Sequence, residues 1–273
     1  MKDTKIRWAG STWNPMTGCS EVSAECDNCY ARVIAEKFGA PAFPNGFEPT
    51  FKPQLLGKPA SWREPRRIFV NSMSDVHHEA FDGGQIDAVY DAMAETDRHD
   101  YLVLTKRPQA MARFFLGSDA GRTTDRAGRT PGWLERRSLD RVPDHVWLGT
   151  SIGLDRYAWR AKWLRMIPVL VRFLSCEPLL GPLPSLDLGG IAWVIVGGES
   201  GPGWRPMELD WARDLRDRCD QAEIAFYFKQ SAAPRTEMGL DLDGRRHEEY
   251  PFAHPAAGVE RVVGRYTDEA VAA

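Results

Sequence analysis

Six times between residues 67 and 228, a short run of apolar and β-branched residues stops abruptly at a polar cluster. The runs cover 67–71, 101–104, 146–149, 168–174, 192–196 and 224–228. Amphipathic stretches near 84–97, 108–115, 155–166 and 208–222 read as helices between them. Continuously apolar strands are buried on both faces, and covering both faces takes crossover helices. The pattern predicts a parallel sheet, with a further brief strand near 11–14. Such sheets collect their chemistry at the C-terminal strand ends, where each run here turns polar. A partial or complete parallel β/α barrel would bring all these ends to one mouth. No G-x-G-x-x-G follows the first strand, so a dinucleotide fold has little support.

The first strand runs into Gly18-Cys19-Ser20-Glu21-Val22-Ser23-Ala24-Glu25-Cys26-Asp27-Asn28-Cys29-Tyr30, which holds three of the five cysteines. Thiolates are preferred ligands of iron–sulfur clusters and zinc. Cys19, Cys26 and Cys29 follow a C-x6-C-x2-C spacing, with no fourth cysteine nearby and no histidine before His77. A closed tetrahedral site wants a fourth protein ligand. Three local ligands leave one position open to a small molecule. This resembles radical S-adenosylmethionine (SAM) enzymes, in which three cysteines hold a [4Fe–4S] cluster and SAM chelates the fourth iron. Their usual spacing is C-x3-C-x2-C, so the second gap matches and the first is longer. A structural zinc site completed by a distant His or Cys is the other reading.

The remaining candidates sit at the strand ends. Ser74 and Asp75 suit an amino group or ribose, or else they cap a turn. His77 and His78 could supply acid/base chemistry or the missing zinc ligand. Thr105, Lys106 and Ser151 end the next two strands. Glu177 directly follows a buried strand, a costly place for a charge unless it is paired or functional. Cys176 beside it reads as a fourth ligand, a relay thiol or a buried apolar residue. Gly197 and Gly198 allow a close ligand approach, and Glu199 can hold an amino group or ribose hydroxyls. Lys106, Arg107, Arg205 and Lys229 bring positive charge to the same mouth. Catalytic roles fall to Glu177, Cys176 and Lys229. Cofactor contacts fall to Ser74, Asp75, Thr105, Lys106, Ser151, Gly197, Gly198 and Glu199.

The 273 residues allow one large α/β domain or two small ones. We read residues 1–230 as the barrel and 231–273 as a C-terminal extension packed on it. Residues 116–141 interrupt the alternation with Arg122, Arg126, Arg129, Arg136, Arg137 and Arg141. That insertion reads as a phosphate contact or as a solvated loop. The net charge of −3 gives no global electrostatic case for nucleic acid, and the ten tryptophans can stack on bases or lie buried. An odd, clustered set of cysteines argues against a disulfide framework. No membrane span or signal region is legible, so a cytoplasmic protein is expected.

The chain also resembles a phage-associated family of unknown function that carries a three-Cys motif and is grouped near the radical SAM proteins. The segments that carry the resemblance are Trp13-Asn14-Pro15, Gly18-Cys19, Cys26-Asp27-Asn28-Cys29-Tyr30-Ala31, Phe69-Val70-Asn71-Ser72-Met73-Ser74-Asp75 and Leu104-Thr105-Lys106-Arg107-Pro108. Gly149-Thr150-Ser151, Ser175-Cys176-Glu177-Pro178-Leu179, Val196-Gly197-Gly198-Glu199-Ser200-Gly201 and Phe228-Lys229-Gln230 complete them. The resemblance implies a radical-SAM-type partial barrel with an iron–sulfur cluster, and no substrate. Radical SAM enzymes usually carry Gly-Gly-Glu near the end of the second strand, and here that triplet comes late. The expectation is an enzyme that cleaves SAM to a 5′-deoxyadenosyl radical, draws on an electron donor and acts on a nucleotide or nucleic acid. The alternatives are a nucleic-acid-binding or scaffold protein with a structural metal, and a zinc-dependent hydrolase.

Overall fold

The chain begins with two short strands, β1 (Ser11–Trp13) and β2 (Met16–Thr17), followed by a 3-10 turn at Ala24–Cys26 and helix α1 (Tyr30–Phe38). Then come β3 (Thr50–Phe51), which pairs with β2, and α2 (Lys58–Ser61). The alternating part follows as β4 (Arg67–Val70), α3 (Gly83–Ala94), β5 (Asp100–Thr105), α4 (Pro108–Leu116), α5 (Trp133–Arg136) and β6 (Val146–Ser151). It continues through α6 (Arg160–Arg165), β7 (Arg172–Cys176), β8 (Trp193–Gly197), α7 (Leu209–Gln221) and β9 (Ala225–Gln230). The small strands β10 (Glu249–Tyr250) and β11 (Tyr266–Thr267) form an antiparallel pair. This computed structural model describes residues 4, 6–39, 42–118, 120, 130–251 and 266–267.

Seven strands pair in parallel in the order β1-β4-β5-β6-β7-β8-β9, and the sheet curls into a half-barrel. Each strand alternates its side chains between two apolar layers. Ile68, Val70, Val103, Leu148, Leu174, Val194, Val196 and Phe228 face the helices in the larger core. Phe69, Leu102, Trp147, Phe173, Trp193, Ile195 and Tyr227 face the concave side, where Trp8 and Tyr250 join them. Aromatic rings fill this lumen in edge-to-face and tilted pairs. Trp193 lies 6.1 Å from Trp147, 6.2 Å from Trp8 and 5.3 Å from Tyr250. Such pairs add to the area that their rings bury.

Local signals explain the helix starts. The Asp82 side chain accepts from Gln85 N, while the Gln85 side chain accepts from Asp82 N, a capping box that opens α3. Pro108 opens α4, where a missing N–H costs nothing. Two elements differ from the sequence pattern. The expected helix at 155–166 splits into a 3-10 turn, Asp155–Tyr157, and a short α6. The strand expected at 168–174 starts at Arg172 and runs to Cys176.

The insertion leaves the end of α4 and returns at the start of β6, so it emerges at the N-terminal end of the sheet. Arg136 pairs with Asp87 at 2.6 Å, Arg137 bonds Asp91 at 2.6 Å, and Arg141 meets Asp144 at 3.0 Å. These three arginines are tied to acids, two of which lie on α3. Arg122, Arg126 and Arg129 lie outside the described residues. From the C-terminal extension, Leu242 and Tyr250 are buried in the two cores. Glu248 bridges Tyr227 of β9 and also pairs with Arg7, just before β1. The two edges of the half-barrel are thereby tied together. Among the described residues, no helix is long and apolar enough to cross a membrane.

Candidate active site

The cysteine loop passes over the C-terminal ends of β1, β4 and β5. Gly18 takes φ +84°, and a Cβ there would stand 2.2 Å from Glu48 O, so the crossing requires glycine. Gly18 N donates to Met73 O at 2.9 Å, and Ser74 Oγ donates to Gly18 O at 2.6 Å. The turn at Ala24–Cys26 is held from two sides. On the inside, Glu25 Oε1 accepts from Gly153 N at 2.9 Å and pairs with Arg160 at 3.4 Å. On the outside, Arg205 donates to Ala24 O and bonds Asp27, each at 2.9 Å. Glu199 anchors Arg205 through contacts of 3.0 and 2.6 Å and accepts from Asn28 Nδ2 at 2.9 Å. The Arg205 guanidinium and the Asn28 amide help hold the Glu199 carboxyl below its ordinary range despite burial.

Beneath the loop lies a cavity of about 170 Å³ whose wall includes all three cysteines. Its near side is organised by Asp75, only 5 % exposed. Asp75 accepts from Thr105 Oγ1 at 2.7 Å, from Lys106 N at 3.0 Å and from His77 N at 3.0 Å. Arg107 reaches Asp75 at 3.4 Å and also donates to Cys19 Sγ at 3.6 Å and Ser20 Oγ at 2.8 Å. Burial, with the charge of Asp75, pushes the Cys19 thiol up to about 11 against the pull of Arg107. The far wall carries Glu177, Lys229 and Ser175. Lys229 Nζ meets Glu177 at 2.7 Å, and Trp8 Nε1 donates to the other Glu177 oxygen at 3.0 Å. A Cβ on Gly197 would press on this pair at 3.2 Å, so glycine keeps the space for it.

Ser74, Asp75, Thr105, Lys106, Ser151, Glu177 and Lys229 thus share one cavity with Cys19, Cys26 and Cys29. Cys176 does not join them. It points into the helix-side core with Cys219, fully buried, and burial holds its thiol far above the usual range. Glu199 lies outside the cavity lining, consumed by Arg205 and Asn28. Gly197 and Gly198 also stay out of the lining. A Cβ on Gly198 would stand 2.1 Å from Ala232 N, so it serves a close passage of the chain's own backbone. His77 sits among aromatic rings with Nε2 at 2.9 Å from Tyr90 OH. His78 Nδ1 accepts from Ala80 N at 3.0 Å, and its Nε2 lies 2.8 Å from Ser20 Oγ. Both ring nitrogens of His78 are therefore engaged.

Four residues of this site were not singled out from the sequence: Trp8, Glu25, Asn71 and Arg160. Trp8 floors the cavity, and its partner Glu177 lies 169 residues away. Asn71 takes φ 55°, a conformation that asparagine tolerates, and its Nδ2 is buried without a partner. Only Glu25 carried a local signal, as an acid placed next to a candidate ligand.

The described residues hold no preassembled group of three or more His, Cys, Asp or Glu side chains placed to hold a metal ion. Metal binding itself draws thiolates together, by displacing their protons. The donor set nonetheless suits a cluster with an adjacent anionic ligand. Three thiols from one loop reach one cavity, Lys106 lines it with no ion pair among the described residues, and Asn71 offers an unused N–H. A family model described as a protein of unknown function (DUF5131) matches residues 3–251. No curated protein and no solved structure matches the chain.

Proposed function

The chain belongs to the DUF5131 family of proteins of unknown function, and we propose that it is an iron–sulfur enzyme of radical SAM type. The observation that carries this reading is the opening of three cysteines from one loop onto a cavity at the C-terminal mouth of a curled parallel sheet. Cys19, Cys26 and Cys29 hold a [4Fe–4S] cluster in this reading. Lys106 takes the carboxylate of SAM, Asn71 Nδ2 donates to one of its acceptors, and Ser151 lines its bed. When bound, the reduced cluster and SAM together supply a 5′-deoxyadenosyl radical, and the cofactor carries that chemistry. The protein's own work is positioning. Asp75 fixes Thr105, Lys106 and Arg107 in place, and Arg107 donates a charged hydrogen bond to a ligand sulfur.

Glu177 and Lys229 face the remaining space and are assigned to the substrate. Their ion pair is preformed, with Trp8 holding the second carboxylate oxygen, so it presents a fixed donor and acceptor. We assign a nucleotide or nucleic acid as substrate, for which exposed Tyr30 at the start of α1 and exposed Trp159 and Trp204 on loops offer stacking faces. A soluble electron donor and a cytoplasmic setting belong to the same proposal.

Anaerobic purification tests it. The protein should be brown, with iron and sulfide near four per chain, and Cys→Ala at position 19, 26 or 29 should remove most of the colour. SAM should perturb the electron paramagnetic resonance spectrum of the reduced cluster, and dithionite should release 5′-deoxyadenosine slowly. Stoichiometric zinc without iron would overturn the cluster. A cluster indifferent to SAM would overturn the enzyme.

A further inference from the structure

Resting on that reading of the cysteines, we infer that the buried Glu25–Arg160 pair is a charge-positioning device that sets the reduction potential of the centre. Glu25 is the covalent neighbour of Cys26, yet its side chain turns away from solvent and is 0 % exposed, with Arg160 at 2 %. Glu25 Oε1 takes Gly153 N and Arg160 Nη1, while Oε2 is left without a partner. Arg160 Nη1 donates to Ser151 O at 2.9 Å, and its guanidinium lies 4.3 Å from the Tyr157 ring centre.

A tether alone does not call for this arrangement. Arg205 already grips the same turn from outside, and the Ser74 bond to Gly18 fixes the loop at its start. A neutral amide at position 25 could still accept from Gly153 N. Burying two charges is costly, and an apolar pair of similar volume is often as stable. What neutral side chains cannot supply is a fixed, unscreened dipole beside a metal ligand. Its negative end is Glu25, the covalent neighbour of Cys26, and Arg160 is paired with that carboxylate at 3.4 Å. Reduction adds an electron to the centre. The carboxylate of Glu25 opposes that addition and the guanidinium of Arg160 favours it, so the two pull the potential in opposite directions.

The opposite signs are the test. Wild type, Glu25→Gln, Arg160→Gln and the double variant are purified anaerobically, and iron, sulfide and spin-monitored reductive titrations are compared. Glu25→Gln should shift the potential upward, raising the ratio of reduced to oxidised cluster at fixed potential about tenfold, which is about 59 mV for one electron. Arg160→Gln should shift it downward, and the double variant should fall between the two. Loosening of the loop would move both single variants the same way, so shifts of one sign, or no shift with iron retained, overturn the inference. Wild-type protein without iron overturns the proposed centre first, and this inference with it. Should Glu25→Gln fail to fold, Arg160→Lys keeps the charge and should keep the wild-type potential while Arg160→Gln lowers it. Equal shifts in those two variants also overturn the inference.

Discussion

His77 and His78 are adjacent in sequence and meet different environments. His78 joins Ser20 to the turn after β4, whereas His77 is sunk among Tyr90, Phe114 and Phe115. Burial pushes His77 down to about 4, with Asp75 opposing the shift weakly. The folded value lies below the ordinary 6.5 of an unfolded histidine, so the unfolded chain takes up the proton first. Stability is whole above the unfolded value and is lost as pH falls from about 6.5 towards 4. Between pH 7 and pH 5 this one group should cost about 2 kcal/mol. His77→Phe leaves the Tyr90 hydroxyl unpaired at every pH but removes the titration. Urea unfolding at the two pH values should show that variant losing about 2 kcal/mol less than wild type, and equal losses would count against the assignment. The three cysteines that line the cavity stood out in the sequence because they share one short loop. Ser175, Cys176 and Glu177 show where a finer rule was available. Neighbouring strand residues face opposite sides, so Ser175 and Glu177 line the cavity and Cys176 does not. No such rule finds the Trp8–Glu177 bond or the capture of Glu199 by Arg205, because both depend on where separate loops come to rest.

Among elements, the strands were legible and the connections were less so. A fully buried parallel strand announces itself as an unbroken apolar run, and β4 to β9 all do. Between β6 and β7 the helix signal was strong, but the observed helix is short. Tyr157, Trp159 and Trp163 gave an apolar pattern without a cap at the start, since Trp159 makes no side-chain capping bond. The arginine-rich insertion could not be resolved from composition, which cannot tell an arginine facing phosphate from one facing Asp91. Within the insertion, Ser118 and Thr130 are neighbours in space. Ser118 N donates to Thr130 O at 3.0 Å, and Thr130 N donates to Ser118 Oγ at 2.9 Å. Replacing 121–129 by a short Gly/Ser linker should therefore leave the sheet undisturbed. Chemical unfolding should shift by no more than about 0.5 kcal/mol, the scale of an ordinary surface change. For the proposed cluster, iron per chain should stay at the wild-type value, and its loss would mean that the insertion contributes to the site.

Taken whole, the molecule divides its concave side into two storeys. The lower one is a packed aromatic lumen and the upper one is the open cavity, with Trp8 as the floor between them. A half-barrel leaves a seam between β1 and β9, and the C-terminal extension closes the lower part of it. Tyr250 fills that position, 5.3 Å from Trp193 and 5.6 Å from Tyr227, with the Arg67 guanidinium 3.7 Å from its ring centre. The sequence hinted at a packed appendage but not at this role, since residues 231–251 show no periodicity that points at the lumen. Removing the ring separates the two storeys by experiment. Tyr250→Ala should cost about 3–5 kcal/mol, the usual loss for a large aromatic deleted from a core that cannot collapse. Tyr250 does not line the cavity, and the cysteine loop is held by Arg160, Arg205 and Ser74 at the opposite end of the strands. With the iron–sulfur centre proposed above, the folded fraction of the variant should therefore bind as much iron per chain as wild type, although its unfolding midpoint drops. Parallel measurement of iron in the folded peak and of stability in urea decides the matter. A folded variant that no longer binds iron would mean that the lumen sets the shape of the mouth, and that the floor at Trp8 transmits what happens beneath it.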